Sequence, residues 1–310
     1  MFTTTKTLAR PDRWRRMTPS PDRLGGVLYL PDRSGPLQVI IALHGCAQTA
    51  ADFAMGSRLA DWAESEGFAV LFPESDRSFQ ILSFNPTGCW VWWLSENQGR
   101  KGQAAQIIDL LDRAGDDYPN LQISRAPLIG LSSGAAMGAI VAAAYPDRIS
   151  GFAAHSGLAF PAAFSAQDPL PGFMRAVPDQ DQLAQVFAPL HFDQLAAAHR
   201  SFGDLGSVAV LHGLADGLVP VSFAEELFAQ AKTAHGLNQT PETSSQRMEG
   251  LYTLQEREIS GASVKLSWTG IAPLGHAWSG GSPAGSFTDM HAPSAGALFL
   301  RFFRDTGWAG

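Results

Sequence analysis

The chain has 310 residues and a mass of 33.1 kDa, with 45% hydrophobic residues, 16% charged residues and a formal net charge of −7. This composition supplies a sizeable core and excludes a disordered chain, in which charged residues would be more frequent. No Lys/Arg run is long enough to neutralise a row of phosphates, and no apolar run is long enough to span a bilayer. We therefore expect neither a nucleic-acid partner nor a membrane partner.

Short apolar, β-branched segments alternate along the chain with segments of helical periodicity, after an N-terminal stretch (1–26) that we expect to form an irregular arm. Strands are predicted at 27–30, 37–43, 68–72, 128–129, 149–154, 208–211 and 264–268. Helices are predicted at 51–66, 102–113, 135–145 and 294–304. This alternation predicts an α/β fold with a mostly parallel central sheet and helices on both faces.

Two segments lack this regularity. Residues 160–206 are rich in Pro, Ala and Phe, which predicts a small cap-like insertion, and residues 238–246 read as a polar loop. Neither has the composition of a linker with a second domain behind it. Residues 27–310 are therefore expected to form a single catalytic domain.

The segment 130–134 matches the pattern G-x-S-x-G, with Ser132 at its centre. Gly and Ser are common in this chain, so the string alone is weak evidence, and a plain Gly/Ser turn is the alternative. The context strengthens it, because a predicted strand precedes the segment and an Ala-rich predicted helix follows. This is the strand–turn–helix setting of a nucleophile elbow, which predicts Ser132 as a catalytic nucleophile.

A serine nucleophile needs a histidine base and an acid that orients this base. Asp216 follows the predicted strand 208–211, and His276 lies in a glycine-containing loop after the strand 264–268. The order Ser, Asp, His is the one expected on this type of fold. Taken singly, Asp216 could cap a helix and His276 could be a surface histidine. Asp204 and Asp289 are the alternative acids.

Ester hydrolysis also needs two N–H donors for the developing oxyanion. The backbone N–H of Ser133 is part of the elbow, and the second donor is expected to be the N–H of Cys46, which Gly45 allows the turn after strand 37–43 to present. Three other histidines at strand ends are expected to have structural roles: His44, His155 and His212.

Tryptophans are the strongest candidates for substrate contacts. Trp278 follows His276 by two residues and is predicted to form a wall of the substrate site. Trp90, Trp92 and Trp93 form a second group, for which core packing and substrate binding are both open. In an extended segment, Trp92 and Trp93 would point to opposite faces, so at most some of them line a cleft.

Taken together, these segments resemble the polyhydroxybutyrate (PHB) depolymerase family of α/β-hydrolase esterases, which also includes feruloyl and acetylxylan esterases. The resemblance extends over about 25–308 and rests on motifs at 43–49, 89–90, 130–137, 212–216 and 275–281. It implies the α/β-hydrolase fold and the catalytic and oxyanion roles given above. It also suggests that Cys46 and Cys89 lie close together, so a disulfide and two free thiols are both open. The chain departs from the family pattern at Gln103, where a Glu is expected near the rim of the site, and at Pro127, inside a strand.

The resemblance implies a serine carboxylic ester hydrolase that works through an acyl-enzyme. A poly(3-hydroxybutyrate) or 3-hydroxyalkanoate oligomer depolymerase is favoured, and a feruloyl or acetylxylan esterase is the alternative. Compared with these two esterases, a peptidase or a non-catalytic binding protein of the same fold is a weaker prediction. We expect no polymer-binding domain after the predicted last helix, and therefore expect small esters, oligoesters or amorphous polyester as substrates.

No metal or cofactor motif is found, and we expect neither group to take part. The compartment stays open: the protein is cytoplasmic if the chain is complete, and secreted or periplasmic if a signal peptide has been removed. The oligomeric state stays open as well.

Overall fold

The computed structural model describes residues 9–75, 88–92, 97, 99–159 and 206–310. Within these residues, eleven strands form one sheet: β1 (Trp14–Met17), β2 (Gly26–Tyr29), β3 (Leu37–Leu43), β4 (Ala69–Pro73), β5 (Leu121–Gln122), β6 (Ala126–Leu131), β7 (Ile149–His155), β8 (Ser207–Gly213), β9 (Thr243–Glu249), β10 (Tyr252–Ser260) and β11 (Lys265–Ala272). A separate short pair consists of β12 (Trp278–Ser279) and β13 (Thr288–Asp289).

The sheet has the order β1-β2-β4-β3-β6-β7-β8-β11-β10-β9, and β5 pairs with β3 outside this path. Its six central strands, from β4 to β11, are parallel to one another, whereas the strands added outside them on both sides pair antiparallel. The central strands are mostly buried, since helices cover both of their faces. The predicted mostly parallel sheet is thus confirmed.

Six helices cover the sheet in the described residues: α1 (Ala50–Ser57), α2 (Leu59–Glu66), α3 (Gly102–Asp117), α4 (Ser133–Ala144), α5 (Ser222–Ala234) and α6 (Ala295–Asp305). Helices α3, α4 and α5 contribute to the apolar cluster on one face of the sheet, and α1, α2 and α6 to the cluster on the other. In the described part of the chain, no helix has the length and apolar character needed to cross a membrane.

Three predicted elements need correction. The N-terminal arm is not irregular throughout, because β1 pairs with β2 and the Trp14 ring packs edge-on against Tyr29 at 4.8 Å. The predicted helix 51–66 is broken at Arg58, whose φ of 60° ends α1 before α2 begins. Residues 243–246 of the predicted loop 238–246 belong to strand β9. Apart from Met248, the residues of β9 are polar, so no alternation of apolar and polar residues indicates a strand there.

Two further features concern predictions made above. Pro127 lies in β6 at a point where the register with β7 shifts, and such irregularities are where a strand accommodates proline. The predicted cap-like insertion at 160–206 lies outside the described residues except for its last residue.

Candidate active site

Ser132 lies between the end of β6 and the start of α4, and its backbone adopts φ 54° and ψ −119°. Residues other than glycine rarely adopt a positive φ because it strains the backbone, and backbone strain of this kind is often found at functional sites. The N–H of Ser132 donates to the carbonyl of His155 at 2.9 Å, which ties the turn to β7. This is the geometry that the G-x-S-x-G pattern predicts for an elbow.

Two glycines make this turn sterically allowed. A Cβ atom on Gly130 would lie 2.4 Å from the backbone of Gly134, and a Cβ atom on Gly134 would lie 2.3 Å from the carbonyl oxygen of Leu43. Real Cβ atoms do not approach backbone atoms this closely. The small residues on both sides of Ser132 therefore allow α4 to begin directly against β3 and β6.

Asp216 and His276 are brought together by the loops that follow β8 and β11. The Nδ1–H of His276 donates to the Oδ2 atom of Asp216 at 2.8 Å, and Oδ1 accepts the N–H groups of Leu218 and Val219, each at 2.9 Å. The Asp216 side chain has no exposed surface. With its proton on Nδ1, the imidazole of His276 keeps the lone pair of Nε2 free to accept a proton.

The charge of Asp216 is stabilised by these contacts. Burial by itself raises the pKa of the carboxyl group, but the hydrogen bond and charge interaction with His276 and the bond from the Val219 amide outweigh it, so the pKa is lowered. Asp216 is therefore ionised at neutral pH, as the orienting acid of a triad must be.

The alternative acids do not take this place in the described residues. The carboxylate of Asp289 accepts the hydroxyl of Tyr252 at 2.7 Å and the N–H of His291 at 3.0 Å. Burial and this bond to Asp289 raise the pKa of Tyr252 to about 12, so the tyrosine remains a donor at neutral pH. Asp204 lies outside the described residues.

His155 and His212 are fully buried near the Asp216–His276 pair. The Nε2–H of His212 donates to the carbonyl of Val219 at 2.9 Å and lies 3.5 Å from the Oδ2 atom of Asp216. Burial lowers the pKa of both histidines, that of His155 well below its usual range. Buried and neutral, both fit the structural roles predicted for them.

The turn predicted to supply the second oxyanion donor lies beside the nucleophile: a Cβ atom on Gly45 would lie 3.4 Å from the Cβ atom of Ser132. His44 supports this turn as predicted, because its Nδ1 contacts the carbonyl of Gly45 at 2.8 Å and its Nε2 accepts the N–H of Ser75 at 3.2 Å. Ser133 is the first residue of α4, where backbone N–H groups have no acceptor within the helix.

A disulfide joins Cys46 to Cys89, whose Cα atoms are 4.2 Å apart. Of the two open alternatives for these cysteines, the structure therefore has the bridge. It anchors the turn at Cys46 to the segment 88–92, and it closes a stretch of chain with a sequence separation of 43 residues.

Gln48 makes contacts on both sides of the site that the sequence did not reveal. Its Oε1 atom accepts the N–H of Gly45 at 2.9 Å, and its Nε2 atom donates to the carbonyl of Ser286 at 2.9 Å and to the Oδ2 atom of Asp52 at 3.1 Å. Asp52 in turn accepts the hydroxyl of Ser286 at 2.6 Å. Gln48 thus connects the turn at Gly45 with the loop that follows His276.

Trp278 is not a wall of the substrate site, and this prediction is wrong. Its ring is fully buried against Phe53, Phe299 and His155, and its Nε1–H donates to the carbonyl of Ser57 at 3.0 Å. A large aromatic ring with a polar N–H is well accommodated in a core when that N–H finds an acceptor, as it does here. Proximity to His276 in sequence was a misleading signal.

Of the other three tryptophans, the two that the structure describes pack in the core and do not line an open site. Trp90 is fully buried and donates its Nε1–H to the carbonyl of His44 at 3.0 Å, and Trp92 is also buried. Trp93 lies outside the described residues. Gln103 does not reach the rim of the site as expected: it is buried, and its Oε1 atom accepts the N–H of Val91 at 2.7 Å.

Phe287, and not Trp278, has an exposed aromatic ring beside His276. Its ring lies 6.4 Å from that of His276 in an edge-on arrangement, and the residue is 39% exposed. Its backbone has φ 51°, and its carbonyl accepts the N–H of Trp278 at 2.7 Å. Sequence reasoning missed Phe287 because nothing in the sequence signals a positive φ at a bulky residue.

The described ranges contain no group of three or more His, Cys, Asp or Glu side chains placed to hold a metal ion.

Comparison with known proteins adds three curated relatives. The chain is 28% identical over 232 residues to feruloyl esterase B of Thermothelomyces thermophilus, covering 73% of this chain and 75% of the relative. It is 30% identical over 216 residues to acetylxylan esterase A of Emericella nidulans, covering 66% of each. It is 29% identical over 266 residues to poly(3-hydroxyalkanoate) depolymerase C of Paucimonas lemoignei, covering 84% of this chain but only 59% of the relative.

Among solved structures, an acetyl xylan esterase from Aspergillus awamori superimposes with a TM-score of 0.65 at 18% identity, covering 94% of this chain and 98% of that one. An S-formylglutathione hydrolase from Agrobacterium tumefaciens gives a TM-score of 0.54 at 13% identity, covering 85% and 87%. These similarities and the parallel sheet show the α/β-hydrolase fold. The sequence profile of the family described as Esterase PHB depolymerase matches residues 24–250, most of the chain. The chain therefore belongs to the PHB depolymerase family of esterases and is a carboxylic ester hydrolase.

Proposed function

We propose that Ser132, His276 and Asp216 form the catalytic triad of this esterase, with the backbone N–H groups of Cys46 and Ser133 as its oxyanion hole. The observation that carries this proposal is the 2.8 Å bond from His276 to a carboxylate with no exposed surface, on the same edge of the sheet as the strained turn at Ser132. A histidine held this way has the tautomer that a general base requires.

In the proposed reaction, the Oγ atom of Ser132 attacks the ester carbonyl carbon while its proton passes to Nε2 of His276. The carbonyl oxygen becomes an oxyanion and accepts the N–H groups of Cys46 and Ser133. When the tetrahedral intermediate collapses, His276 returns the proton to the leaving alcohol, and the acyl group stays on Ser132. Water then attacks with His276 as base, and the carboxylic acid leaves.

We further propose that the substrates are 3-hydroxyalkanoate oligoesters and amorphous polyester. The similarity to poly(3-hydroxyalkanoate) depolymerase C supports this, as does the exposed apolar ring of Phe287 beside His276. The alternative is a plant-cell-wall esterase that releases ferulate or acetate. It is supported by the feruloyl and acetylxylan esterase relatives, whose own lengths are better covered by this chain.

The test compares three reactions under one set of conditions, with the variant Ser132→Ala as the blank. Release of 3-hydroxybutyrate from short oligomers and amorphous polymer is measured beside release of ferulate from methyl ferulate and of acetate from acetylated xylan. We expect oligoester turnover to dominate and the variant to be inactive. If release of ferulate or acetate dominates, the protein is a plant-cell-wall esterase instead. Full activity of Ser132→Ala would refute the triad.

A further inference from the structure

Two buried hydroxyl groups have no hydrogen-bond partner in the described part of the chain, those of Ser133 and Ser150. Buried polar groups in native proteins are nearly always paired, and an unpaired one carries the cost of its lost hydration. Ser150 lies near the start of β7, whereas Ser133 directly follows the proposed nucleophile. At the position of Ser133, the missing partner can therefore be an atom of the substrate.

The side chain of Ser133 is directed towards the amino end of α4. The Cα–Cβ bonds of a helix tilt towards its amino end, and Ser133 is the first residue of α4. The residue is only 3% exposed, so bulk water does not compete for its hydroxyl group. The hydroxyl is thus buried at the helix end to which the strained turn of Ser132 leads.

The amino end of α4 favours negative charge. The first N–H groups of a helix have no acceptor within it, and the aligned peptide dipoles place partial positive charge at this end. A Cβ atom on Gly134 would collide with the carbonyl oxygens of Leu43 and His44, so α4 begins directly against the strand end that leads into the turn at Cys46. The hydroxyl of Ser133 therefore lies close to both groups proposed as oxyanion donors.

The hydroxyl and the backbone N–H of Ser133 are connected only through Cα and Cβ, so an oxygen atom that accepts the N–H is within reach of the hydroxyl. A serine hydroxyl rotates to suit its partner and can donate. Hydrogen bonds to an ionised acceptor are roughly twice as strong as those between neutral groups. The hydroxyl would therefore bond more strongly to the oxyanion of the tetrahedral intermediate than to the neutral ester carbonyl.

We propose that the hydroxyl group of Ser133 is a third hydrogen-bond donor to the oxyanion, beside the backbone N–H groups of Cys46 and Ser133. This inference rests on the proposed function, because the oxyanion forms only if Ser132 attacks the ester. In the free enzyme no protein hydrogen bond has to break before the hydroxyl donates, which is the condition for preorganised stabilisation. The unpaired hydroxyl destabilises the free enzyme and gains its partner when negative charge develops.

The test compares Ser133→Ala with the matched control Ser150→Ala in the hydrolysis of p-nitrophenyl acetate, a small soluble ester. The substitution at Ser133 removes the hydroxyl and keeps the backbone N–H. Because acylation and deacylation both pass through the oxyanion, we expect kcat to fall roughly ten- to a hundredfold with KM unchanged. Ser150 is at the amino end of β7, opposite the end that contacts Ser132, and its variant should keep both constants.

Two further measurements separate this role from a structural one. The adduct of phenylboronic acid with a nucleophilic serine is tetrahedral and anionic like the intermediate, so its inhibition constant should rise in Ser133→Ala by about the same factor as kcat falls. Removing an unpaired buried hydroxyl relieves its cost of burial. Both variants should therefore unfold at the same urea concentration as the parent or at a higher one.

Unchanged kcat in Ser133→Ala would overturn the proposal. So would a higher KM at unchanged kcat, since the hydroxyl would then bind the ground state of the substrate. A lower kcat together with unfolding at lower urea concentration would assign the hydroxyl to holding the turn, and would also overturn it. The variant Ser132→Ala is measured beside them: if it stays active, the triad fails and this donor with it. If it is inactive while Ser133→Ala equals the parent, only the third donor is refuted.

Discussion

Lowering the pH should destabilise the fold through His155. This residue is fully buried: its Nε2 atom accepts the N–H of Ser279 at 3.1 Å, its Nδ1 atom lies 3.1 Å from the hydroxyl of Ser156, and its ring stacks on Trp278. Burial, and then the nearby His212 and His276, lower its pKa well below the usual range. Protonation of Nε2 would also remove the acceptor of Ser279.

The direction and size of the effect follow from proton linkage. Below about pH 6.5 a histidine in the unfolded chain binds a proton, whereas His155 in the folded chain does not, so the free energy of unfolding falls as the pH falls. Each pH unit in this window removes about 1.4 kcal/mol per histidine. Between pH 6.5 and pH 5, His155 therefore accounts for a loss of about 2 kcal/mol.

The assay is equilibrium unfolding in urea at intervals between pH 7.5 and pH 5, on the parent chain and on His155→Gln. Glutamine offers an oxygen acceptor to Ser279 and an amide donor to Ser156, but it does not titrate. Contributions from His212 and from the carboxyl groups are common to both proteins and cancel in the comparison. The stability of the variant should fall less, by about 2 kcal/mol over this range. Parallel curves would refute the assignment of a neutral, buried His155.

Three further predictions concern the elbow, the acid and the bridge. Asp216→Asn should lower kcat on a soluble ester about 10⁴-fold by disturbing the histidine tautomer, whereas Asp289→Asn should change it little; the opposite order would exclude Asp216 as the acid. Gly134→Ala should cost more than about 3 kcal/mol in urea unfolding, since the added Cβ atom would meet backbone oxygens at 2.3 and 2.5 Å; near-normal stability would show that the elbow can relax. Replacing Cys46 and Cys89 by Ala should cost about 4 kcal/mol, from a sequence separation of 43 residues, and should abolish any effect of reductant on unfolding.

The proposed catalytic residues were accessible to sequence reasoning because each has a local signature. Ser132 lies between glycines at a strand–helix junction, and Asp216 and His276 lie in loops that follow predicted strands. The order of the strands in the sheet then brings the ends of β6, β8 and β11 to one edge, where the side chains of Asp216 and His276 meet. Such features are encoded within about ten neighbouring residues.

Features that depend on distant contacts were not accessible in this way. Trp278 is two residues from His276, yet its ring turns into the core because Ser57 accepts its N–H. Arg58 interrupts a predicted helix because its backbone has a positive φ, which an arginine in the sequence does not indicate. The exposed ring of Phe287 depends on a positive φ that the surrounding loop imposes. For Trp278 the partner lies far along the chain, and at Arg58 and Phe287 the residue type does not indicate the positive φ.

The contacts of Gln48 have a mechanical consequence. One side chain holds the turn that precedes Cys46 and, through Ser286, the loop that presents Phe287. Displacing that loop outward would take the amide oxygen of Gln48 away from Gly45 or break the bond to Ser286, so we expect the turn and the loop to move together. The space between them is then changed by exchanging side chains on the two segments, not by moving the segments apart.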